Sequence, residues 1–252
     1  MHSRNVKLSA SLTDLSDQQI DCMAEIVCRY FPNMELAREI TRGHVKQAHS
    51  IRMCLDAERL IGFSVASKYR MLTPFYHRPV NVLYQRMLYL EPAARCRGIG
   101  LRLLEASMKD LFGRLWPLKR MVAVCRTQNP MVARFMAMYD QIYPRYGETI
   151  PDEVRKFAES LLPVLEGDKL DARFRLFGTL SVLSGMDFTD IWNRYLHRQN
   201  DEYERLMLNS AFEESDGHIF NRGAGVLMIG YAKPLCFIRY LFGLRWREDY
   251  RV

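Results

Sequence analysis

The stretch EPAARCRGIGLRLLE, residues 91–105, places two glycines one residue apart among three arginines, directly before leucines at helical spacing. Because Gly98 and Gly100 carry no Cβ atom, a ligand can approach the backbone closely and successive N–H groups can converge on an anion. A helix that begins there adds its unpaired amides and the positive end of its dipole. The stretch therefore predicts a binding loop for a pyrophosphate, to which the arginines add charge-assisted hydrogen bonds.

Two common phosphate loops do not describe this stretch. It lacks the pattern G-x-x-x-x-G-K-[ST], and a Rossmann G-x-G-x-x-G would have a small residue where Leu103 stands. A short G-x-G is also frequent by chance, as a plain glycine turn beside solvated arginines. The neighbouring elements must therefore decide between a ligand loop and a simple turn.

The residues before the loop predict two helices and several strands. Residues 5–12 alternate like a strand, and apolar residues at helical spacing predict a helix over 16–30 and a shorter one near 34–40. Three strand-like runs follow, with turn signals near their boundaries, and predict an antiparallel meander. The runs cover residues 50–63, 64–72 and 82–90.

The residues after the loop predict a helix, a buried strand and a second helix. Apolar residues recur every three or four positions from Leu101 to Leu115, and the strand MVAVCR covers 121–126. A further helix is predicted from Asn129 to about Tyr143. Strand, glycine-rich turn, helix and strand in this order form the βαβ unit of a locally parallel pair.

The last third of the chain has a different residue pattern from the part before it. Residues 144–217 are helical in pattern and poor in strand signals, with a long helix predicted near 188–208. A final strand is predicted at 226–232, and a basic, aromatic tail covers 234–252. We therefore expect a helical insertion at about 144–217, followed by one more strand of the sheet.

The composition favours a globular protein with an anionic partner. The chain has 252 residues, of which 48% are apolar, and its 36 Lys and Arg exceed its 29 Asp and Glu to give a net charge of +7. This charge favours a phosphate-bearing ligand, nucleic acid or a membrane surface. The chain has no basic stripe interleaved with aromatic residues, and no apolar run is long enough to span a bilayer. We therefore expect neither a nucleic acid partner nor an integral membrane protein.

The cysteines and the N-terminus indicate the compartment. The six cysteines form no C-x-x-C pair and no Cys/His spacing suited to zinc, so we expect neither a metal site nor a disulfide framework. The first residues are too polar for a secretory signal peptide. A reducing, cytoplasmic location is the expectation.

At residues 90–100 the sequence resembles the GNAT acetyltransferase superfamily. The central pattern of that family reads roughly V-x-P-x-x-[RQ]-x-x-G-x-[GA], between the fourth strand and the third helix, and this chain has LEPAARCRGIG at that spacing. The resemblance covers about residues 5–143 in element order, together with the final strand. It implies an α/β (α+β) fold: a GNAT-like mixed, mostly antiparallel twisted sheet with flanking helices and a helical insertion, in a single domain over residues 1–252.

The resemblance also implies acetyl-CoA or another acyl-CoA as the donor substrate. By this likeness, amides of residues 95–100 hold the pyrophosphate, while the strand before the loop pairs with the pantetheine arm and splays from its neighbour to admit the thioester. Pantetheine bound along a strand edge uses main-chain hydrogen bonds and needs no signature side chain. The expected CoA-binding residues are Leu88, Leu90, Arg95, Cys96, Arg97, Gly98, Ile99, Gly100 and Asn129.

The general acid is the first catalytic role to assign. Many GNAT members have an Asn early in the fourth helix and a Tyr seven residues later. Asn129 stands at the first position, but the second is Met136, with Tyr139 one turn further and Tyr143 at the predicted helix end. Because Met136 and Tyr139 would share a helix face, Tyr139 is expected to protonate the leaving thiolate. An interior tyrosine with a hydrogen-bonded hydroxyl is the equally weighted alternative.

The general base is less clearly marked. No acidic residue occurs in the strand at 82–90, where the family often has one. Glu91 follows this strand, and His77 precedes it in a predicted loop, with a side chain suited to proton transfer near neutral pH. Glu91 and His77 are therefore the candidates, and deprotonation through water is the alternative.

Together these observations predict an acyl-CoA-dependent N-acyltransferase, transferring acetyl from acetyl-CoA to a primary amine by direct attack on the thioester. The acceptor stays open among a small metabolite, an antibiotic-like amine, a peptide N-terminus and a lysine. The rival interpretation is a non-catalytic acyl-CoA-binding or regulatory module with a GNAT-like fold. We expect the insertion to cover the acceptor side of the cleft, because long insertions with their own helices are commonly lids. An alternative role for it is to form a homo-oligomer contact.

Overall fold

The structure is a computed structural model, and the chain in it divides into two compact units. The first takes its residues from 1–69 and 83–116, and the second takes them from 70–82 and 117–252. The residues that the structure describes are 6–9, 14–31, 33–94, 98–165, 167–197 and 201–236.

The first unit is an antiparallel sheet with helices packed on it. Its strands follow one another in the order β1-β2-β3-β4, and β3 and β4 continue into the second unit. The strands are β1 (Val6–Leu8), β2 (Ser50–Asp56), β3 (Arg59–Thr73) and β4 (Tyr76–Leu90). The helices are α1 (Asp17–Cys28), α2 (Met34–Lys46) and α3 (Ile99–Phe112), and a short 3-10 turn covers Pro92–Ala94.

Local sequence explains where the first two helices begin. Ser16 and Gln19 form a capping box before α1, and the side chain of Asn33 accepts a hydrogen bond from Leu36 N at the start of α2. Asp21 on α1 pairs with Arg38 on α2 at 2.6 Å. The predicted helices near 16–30 and 34–40 are therefore present, the second of them longer than expected.

Hydrogen bonds attach α3 to the sheet. The Ser64 hydroxyl on β3 lies 3.0 Å from that of Ser107 on α3, and Ser50 on β2 donates to Asp110 at 2.8 Å. These contacts and the buried leucines of α3 hold one face of the helix against β2 and β3.

The second unit is built around one buried strand, β11. Its strands are β5 (Met121–Thr127), β6 (Gln141–Tyr143), β7 (Gly167–Leu170), β8 (Arg175–Gly178) and β11 (Gly225–Ala232), with a separate hairpin of β9 (Phe212–Ser215) and β10 (His218–Asn221). Its helices are α4 (Pro130–Met136), α5 (Asp152–Ser160), α6 (Leu162–Leu165), α7 (Thr189–Ile191) and α8 (Glu202–Ala211), and a π-helical turn covers Trp192–Leu196.

Strand β11 pairs on both edges. Along one edge it pairs with the whole of β5, from Val226 opposite Thr127 to Ala232 opposite Met121. Along the other edge, β8 pairs with its beginning and β6 with its end. Seven of its eight residues are buried, as expected for a central strand with both faces covered.

Several boundaries differ from the sequence-based expectations. The expected strand at 50–63 is a hairpin that turns at Ala57 and Glu58, and β3 runs unbroken through the expected boundary at 63/64. The helix predicted up to Tyr143 ends at Met136, because the residues after it turn back to pair with β11 as β6.

The segment 144–217 is also less helical than expected. It contains β7 and β8, of which β8 pairs with β11, and the helix predicted over 188–208 is broken into α7, a π-helical turn and α8. The final strand lies where it was predicted, one residue longer. Residues 5 and 10–12 of the expected first strand and 237–252 of the expected tail lie outside the described residues. A single domain over 1–252 stays a prediction.

Substitutions at two separate glycines of the first unit test how closely β3 and β4 pack. An ideal Cβ at Gly62 would lie 3.0 Å from Tyr89 O and closer still to Leu90 Cδ2, whereas one at Gly43 in α2 would meet nothing within 4 Å. We expect Gly62→Ala to destabilise the protein by about 1–3 kcal/mol through overpacking. Gly43→Ala should stabilise it by about 0.5–1 kcal/mol, because alanine favours a helix interior.

Thermal unfolding of the two variants beside the parent protein measures both effects. A Gly62→Ala variant as stable as the parent would show that β3 and β4 are less closely packed at this point than described.

Candidate functional site

Helix α3 begins at a glycine in the left-handed conformation. Gly98 is its N-cap residue, with φ of 69° and ψ of 6°, and its carbonyl accepts from Arg102 N at 3.1 Å. A residue with a Cβ atom is strained in this conformation. Gly98 has no side chain to cap the first amides, and the first turn of α3 contains no acidic residue. The N–H groups of this turn therefore lack the usual intrahelical and side-chain acceptors and suit an anion.

The space over Gly98 is open. An ideal Cβ at Gly98 would meet no other described atom within 4 Å, and one at Gly100 would only touch Leu90 Cδ1 at 3.5 Å. Packing within the described residues therefore does not demand glycine at position 98. Its backbone angle demands it, and the missing side chain leaves the amides accessible to a ligand.

A buried cluster fixes the start of α3 to the end of β4. Ile99 and Leu103 of α3 are buried against Ile61 of β3, and Leu88 and Leu90 of β4 pack against the same cluster. The side chains of both β4 leucines therefore point into the core. If they serve a ligand, they do so through their backbone, as the resemblance implies.

The backbone of Leu88 and Leu90 faces the edge of β4 away from β3. Glu91 N donates to Ile61 O on β3 at 2.9 Å, and because backbone groups alternate along a strand, those of Leu88 and Leu90 point to the opposite edge. On that edge the Tyr30 hydroxyl donates to Leu90 O at 2.9 Å. A pantetheine amide at Leu90 would therefore share this carbonyl with Tyr30 or displace it.

Glu91 is buried and engaged by two arginines. Its Oε2 lies 2.7 Å from Nη2 of Arg59 and its Oε1 lies 3.7 Å from Nη2 of Arg29, while its side chain is 11% exposed. Its backbone carbonyl accepts from Ala94 N at 2.9 Å. These contacts favour a role in anchoring the chain that enters the loop. The predicted role as general base stays a prediction.

Asn129 is the N-cap residue of α4. Its side chain accepts from Met131 N at 2.9 Å, and its backbone N donates to the Thr127 hydroxyl at 2.9 Å. Pro130 at the first helical position completes a standard helix start. The position is therefore explained by local capping, and its contact with CoA stays a prediction.

Tyr139 lies beyond the end of α4 and is packed against β11. It is 5% exposed, and an ideal Cβ at Gly230 would lie 2.7 Å from its Cγ and 2.9 Å from Cε of Met136. Met136 and Tyr139 thus both contact β11 at Gly230, although no helix connects them. Burial, with smaller contributions from Cys125 and Cys236, raises the pKa of the Tyr139 phenol well above its usual range. The phenol is therefore protonated at physiological pH.

The two other titratable candidates lie in different surroundings. His77 is exposed and is the second residue of β4, so the loop predicted for it is absent. Tyr143 in β6 is half-buried, and its ring stacks on Phe75 with 6.1 Å between centroids. The loop residues Arg95, Cys96 and Arg97 lie outside the described residues.

A cavity of about 190 Å³ in the second unit brings Tyr139 together with two carboxylates, Glu148 and Glu202, that the sequence did not suggest. It lies between the end of α4, the chain after β6 and the first turn of α8. Because Glu148 and Glu202 are far apart in sequence and belong to no motif, no local signal marks them. The tyrosines that line the cavity are Tyr139, Tyr146 and Tyr203, and its carboxylates are Glu148 and Glu202.

Within the described ranges, no helix is both long and apolar enough to cross a bilayer. In the same ranges, no three His, Cys, Asp or Glu side chains are grouped so as to hold a metal ion.

Residues 20–139 match the family model of the acetyltransferase (GNAT) family. The match begins in α1, includes β4, the glycine turn and α3, and ends at Tyr139. This segment, slightly less than half of the chain, is similar to the GNAT family. The GNAT resemblance noted in the sequence is therefore confirmed, and so is the mixed, mostly antiparallel fold class.

Solved structures similar to this chain share little sequence with it. A protein from Pyrococcus horikoshii is 13% identical over 58% of this chain and 93% of its own, with a TM-score of 0.42. An aminoglycoside 6'-acetyltransferase type Ii is 15% identical over 55% and 87%, with a TM-score of 0.41. The acetyltransferase yncA of Salmonella typhimurium, solved with acetyl-CoA, is 14% identical over 57% and 86%, with a TM-score of 0.37. No curated protein matches the chain in sequence.

The glycines at the two ends of α3 test the GNAT loop. Both Gly98 and Gly113 have positive φ and open space around the missing Cβ, but only Gly98 stands at the helix N-terminus. We expect Gly98→Val to abolish measurable CoA binding in calorimetric titration, because the valine would strain the turn and cover its amides.

Gly113→Val is the matched control and should bind CoA like the parent protein, with circular dichroism confirming that both variants fold. A folded Gly98→Val variant with unchanged CoA affinity would remove the loop from the binding site.

Proposed function

We propose that this protein is an acyl-CoA-dependent N-acyltransferase that transfers an acetyl group from acetyl-CoA to a primary amine. The observation that carries the proposal is the uncapped start of α3 at Gly98, within the segment that matches the GNAT family. Its amides would hold the CoA pyrophosphate, and the outer edge of β4 at Leu88 and Leu90 would hold the pantetheine arm.

The reaction requires one nucleophile and two proton transfers. The amine nitrogen attacks the thioester carbonyl carbon, the C–S bond breaks as the tetrahedral intermediate collapses, and the nitrogen releases a proton while the thiolate accepts one. A protonated Tyr139 is available to supply the second proton, since burial raises the pKa of its phenol.

The base that accepts the proton of the amine is less well supported. Both carboxylate oxygens of Glu91 lie near guanidinium groups, and His77 is exposed on β4. Loss of a proton to water, before the amine attacks in its neutral form, requires no rearrangement of these side chains. We therefore favour water as the acceptor of this proton, with Glu91 and His77 as the side-chain candidates.

The cavity that Tyr139 lines is the proposed site of the acceptor amine. Aromatic rings and carboxylates together attract an ammonium group through cation–π and ionic contacts. Arg145 lies 3.6 Å from Glu148 and offsets part of its charge, whereas Glu202 is exposed on α8. The segment 144–217 supplies both carboxylates, which agrees with its predicted role as a cover for the acceptor.

One observation favours the rival function, a CoA-binding module without catalysis. The candidate acid Tyr139 is buried and the candidate base Glu91 is ion-paired, so neither side chain is directly accessible to a substrate. Both functions require CoA binding, but only the acyltransferase releases the thiol of acetyl-CoA.

Native mass spectrometry for a co-purified CoA species, followed by thiol release from acetyl-CoA with a panel of neutral and cationic primary amines, tests both functions. We expect acetyl-CoA binding and thiol release with at least one cationic amine. Binding with no release on any amine would establish the non-catalytic module, and the absence of CoA binding would overturn both proposals.

A pair of tyrosine variants tests the general acid. If the Tyr139 phenol protonates the thiolate, Tyr139→Phe should lower kcat by about a hundredfold and spare CoA affinity. Because the pKa of Tyr139 is raised, its acid form persists as pH rises, so the rate of the parent protein should not fall between about pH 8 and about pH 10 through loss of this proton.

Tyr143→Phe is the control and should retain activity. A loss confined to Tyr143→Phe would move the role to Tyr143, and unchanged rates in both variants would mean that the thiolate leaves without help from either phenol.

A further inference from the structure

A second concave site in the same unit as β11 is lined by four basic side chains. The cavity measures about 360 Å³ and is formed by three segments of chain that are distant in sequence. Its cations are Arg70 near the end of β3, Arg78 near the beginning of β4, and Lys119 and Arg120 just before β5. Its other lining residues are neutral.

The residues that line this basic cavity include no Asp or Glu. Asp140 lies outside this lining, and its carboxylate accepts from Lys233 N at 2.6 Å. Across the described part of the chain, no carboxylate lies within ion-pair distance of Arg70, Arg78 or Arg120, although the protein pairs other arginines, such as Arg134 with Asp201 at 2.5 Å. Like charges gathered around one concavity repel each other, and a bound anion would remove this repulsion.

The walls of the cavity are held in place by contacts within the second unit. The Tyr76 hydroxyl donates to Ala232 O of β11 at 2.9 Å, and the guanidinium of Arg120 lies 5.4 Å from the centre of the Tyr76 ring. Leu235 N donates to Pro117 O at 2.8 Å, beside the segment that carries Lys119 and Arg120. The basic side chains therefore project from an ordered frame, which lowers the entropy lost on binding.

We propose that the basic cavity binds a polyphosphate group, at a site separate from the acyl-CoA loop of α3. Guanidinium groups bind phosphate oxygens in pairs, and several of them around one cavity match an anion with more than one phosphate better than a single carboxylate. The volume lies within the range of small-molecule sites. Leu118, which is 52% exposed, adds apolar surface beside the cations. This surface suits the organic part of a nucleoside polyphosphate, and the proposal does not depend on the proposed acyl transfer.

Calorimetric titration of the full chain with inorganic tripolyphosphate and with adenosine triphosphate, at low and at moderate salt, tests the site. The variant is the double substitution Arg78→Gln/Arg120→Gln. The matched control is Arg114→Gln/Arg205→Gln, which removes the same charge from two exposed arginines outside the cavity. We expect tripolyphosphate affinity to fall at least about tenfold in the cavity variant and less than about twofold in the control, and to weaken with salt.

The two probes distinguish the sources of the phosphate group. Tighter binding of adenosine triphosphate than of tripolyphosphate would assign the apolar surface to a nucleoside, and equal binding would assign the site to polyphosphate alone. Hydrogen exchange with bound tripolyphosphate should show protection within 70–82 and 117–121, which tests the location without any substitution.

Four results would overturn the proposal. They are the absence of tripolyphosphate binding at about 1 mM, an equal loss of affinity in the control variant, displacement of tripolyphosphate by CoA, and binding of single-stranded RNA without binding of either phosphate probe. Displacement by CoA would mean that the basic cavity is part of the acyl-CoA site. Binding of RNA alone would mean that it is a nucleic acid surface. Because Gly98→Val is expected to close the anion loop of α3, tripolyphosphate binding measured in this variant reports the basic cavity alone, even if acyl transfer proves wrong.

Discussion

The contact between the end of β4 and the start of α3 is the constraint on which the proposed donor site depends. Leu90 packs with Ile99 and Leu103 in one buried cluster, so the first turn of the helix is held beside the end of the strand. A short chain joins the two, and the left-handed Gly98 makes the final turn. The first amides of the helix and the backbone groups at the end of the strand thereby come from neighbouring residues. Phosphate binding at this point therefore follows from the way the core packs, and no special side chain is needed.

Strand β11 has a comparable role in the second unit. Because it pairs with β5 on one edge and with β8 and β6 on the other, it determines where the chain after α4 can run. The chain leaves the helix at Met136, turns, and pairs as β6, which presses the ring of Tyr139 onto Gly230. The same burial that hides the phenol raises its pKa and keeps it protonated. Burial therefore keeps the phenol protonated, makes it a weaker acid and limits its accessibility.

The chemistry of the second unit separates by charge. Around Tyr139 the cavity carries two glutamates, one arginine and three tyrosines, and this excess of negative charge suits a cationic amine. Around Arg78 and Arg120 the cavity carries only cations and neutral residues, which suit a phosphate group. The net charge of +7 does not distinguish these surroundings, because it averages over them. An anionic partner inferred from composition can thus be the acyl-CoA donor, the ligand of the basic cavity, or both.

The sequence by itself determined the features that depend on neighbouring residues. The spacing of Pro92, Gly98 and Gly100 identified the GNAT motif, and the helix starts at Ser16 and Asn33 follow from capping groups within three residues of each other. Only the tertiary structure decided that α4 ends before Tyr139, that β8 joins β11, and that Glu91 is ion-paired with Arg59. It alone brought Arg70 together with Arg120. Each of these features depends on partners far along the chain, and local propensity does not encode pairing between residues that meet only when the core forms.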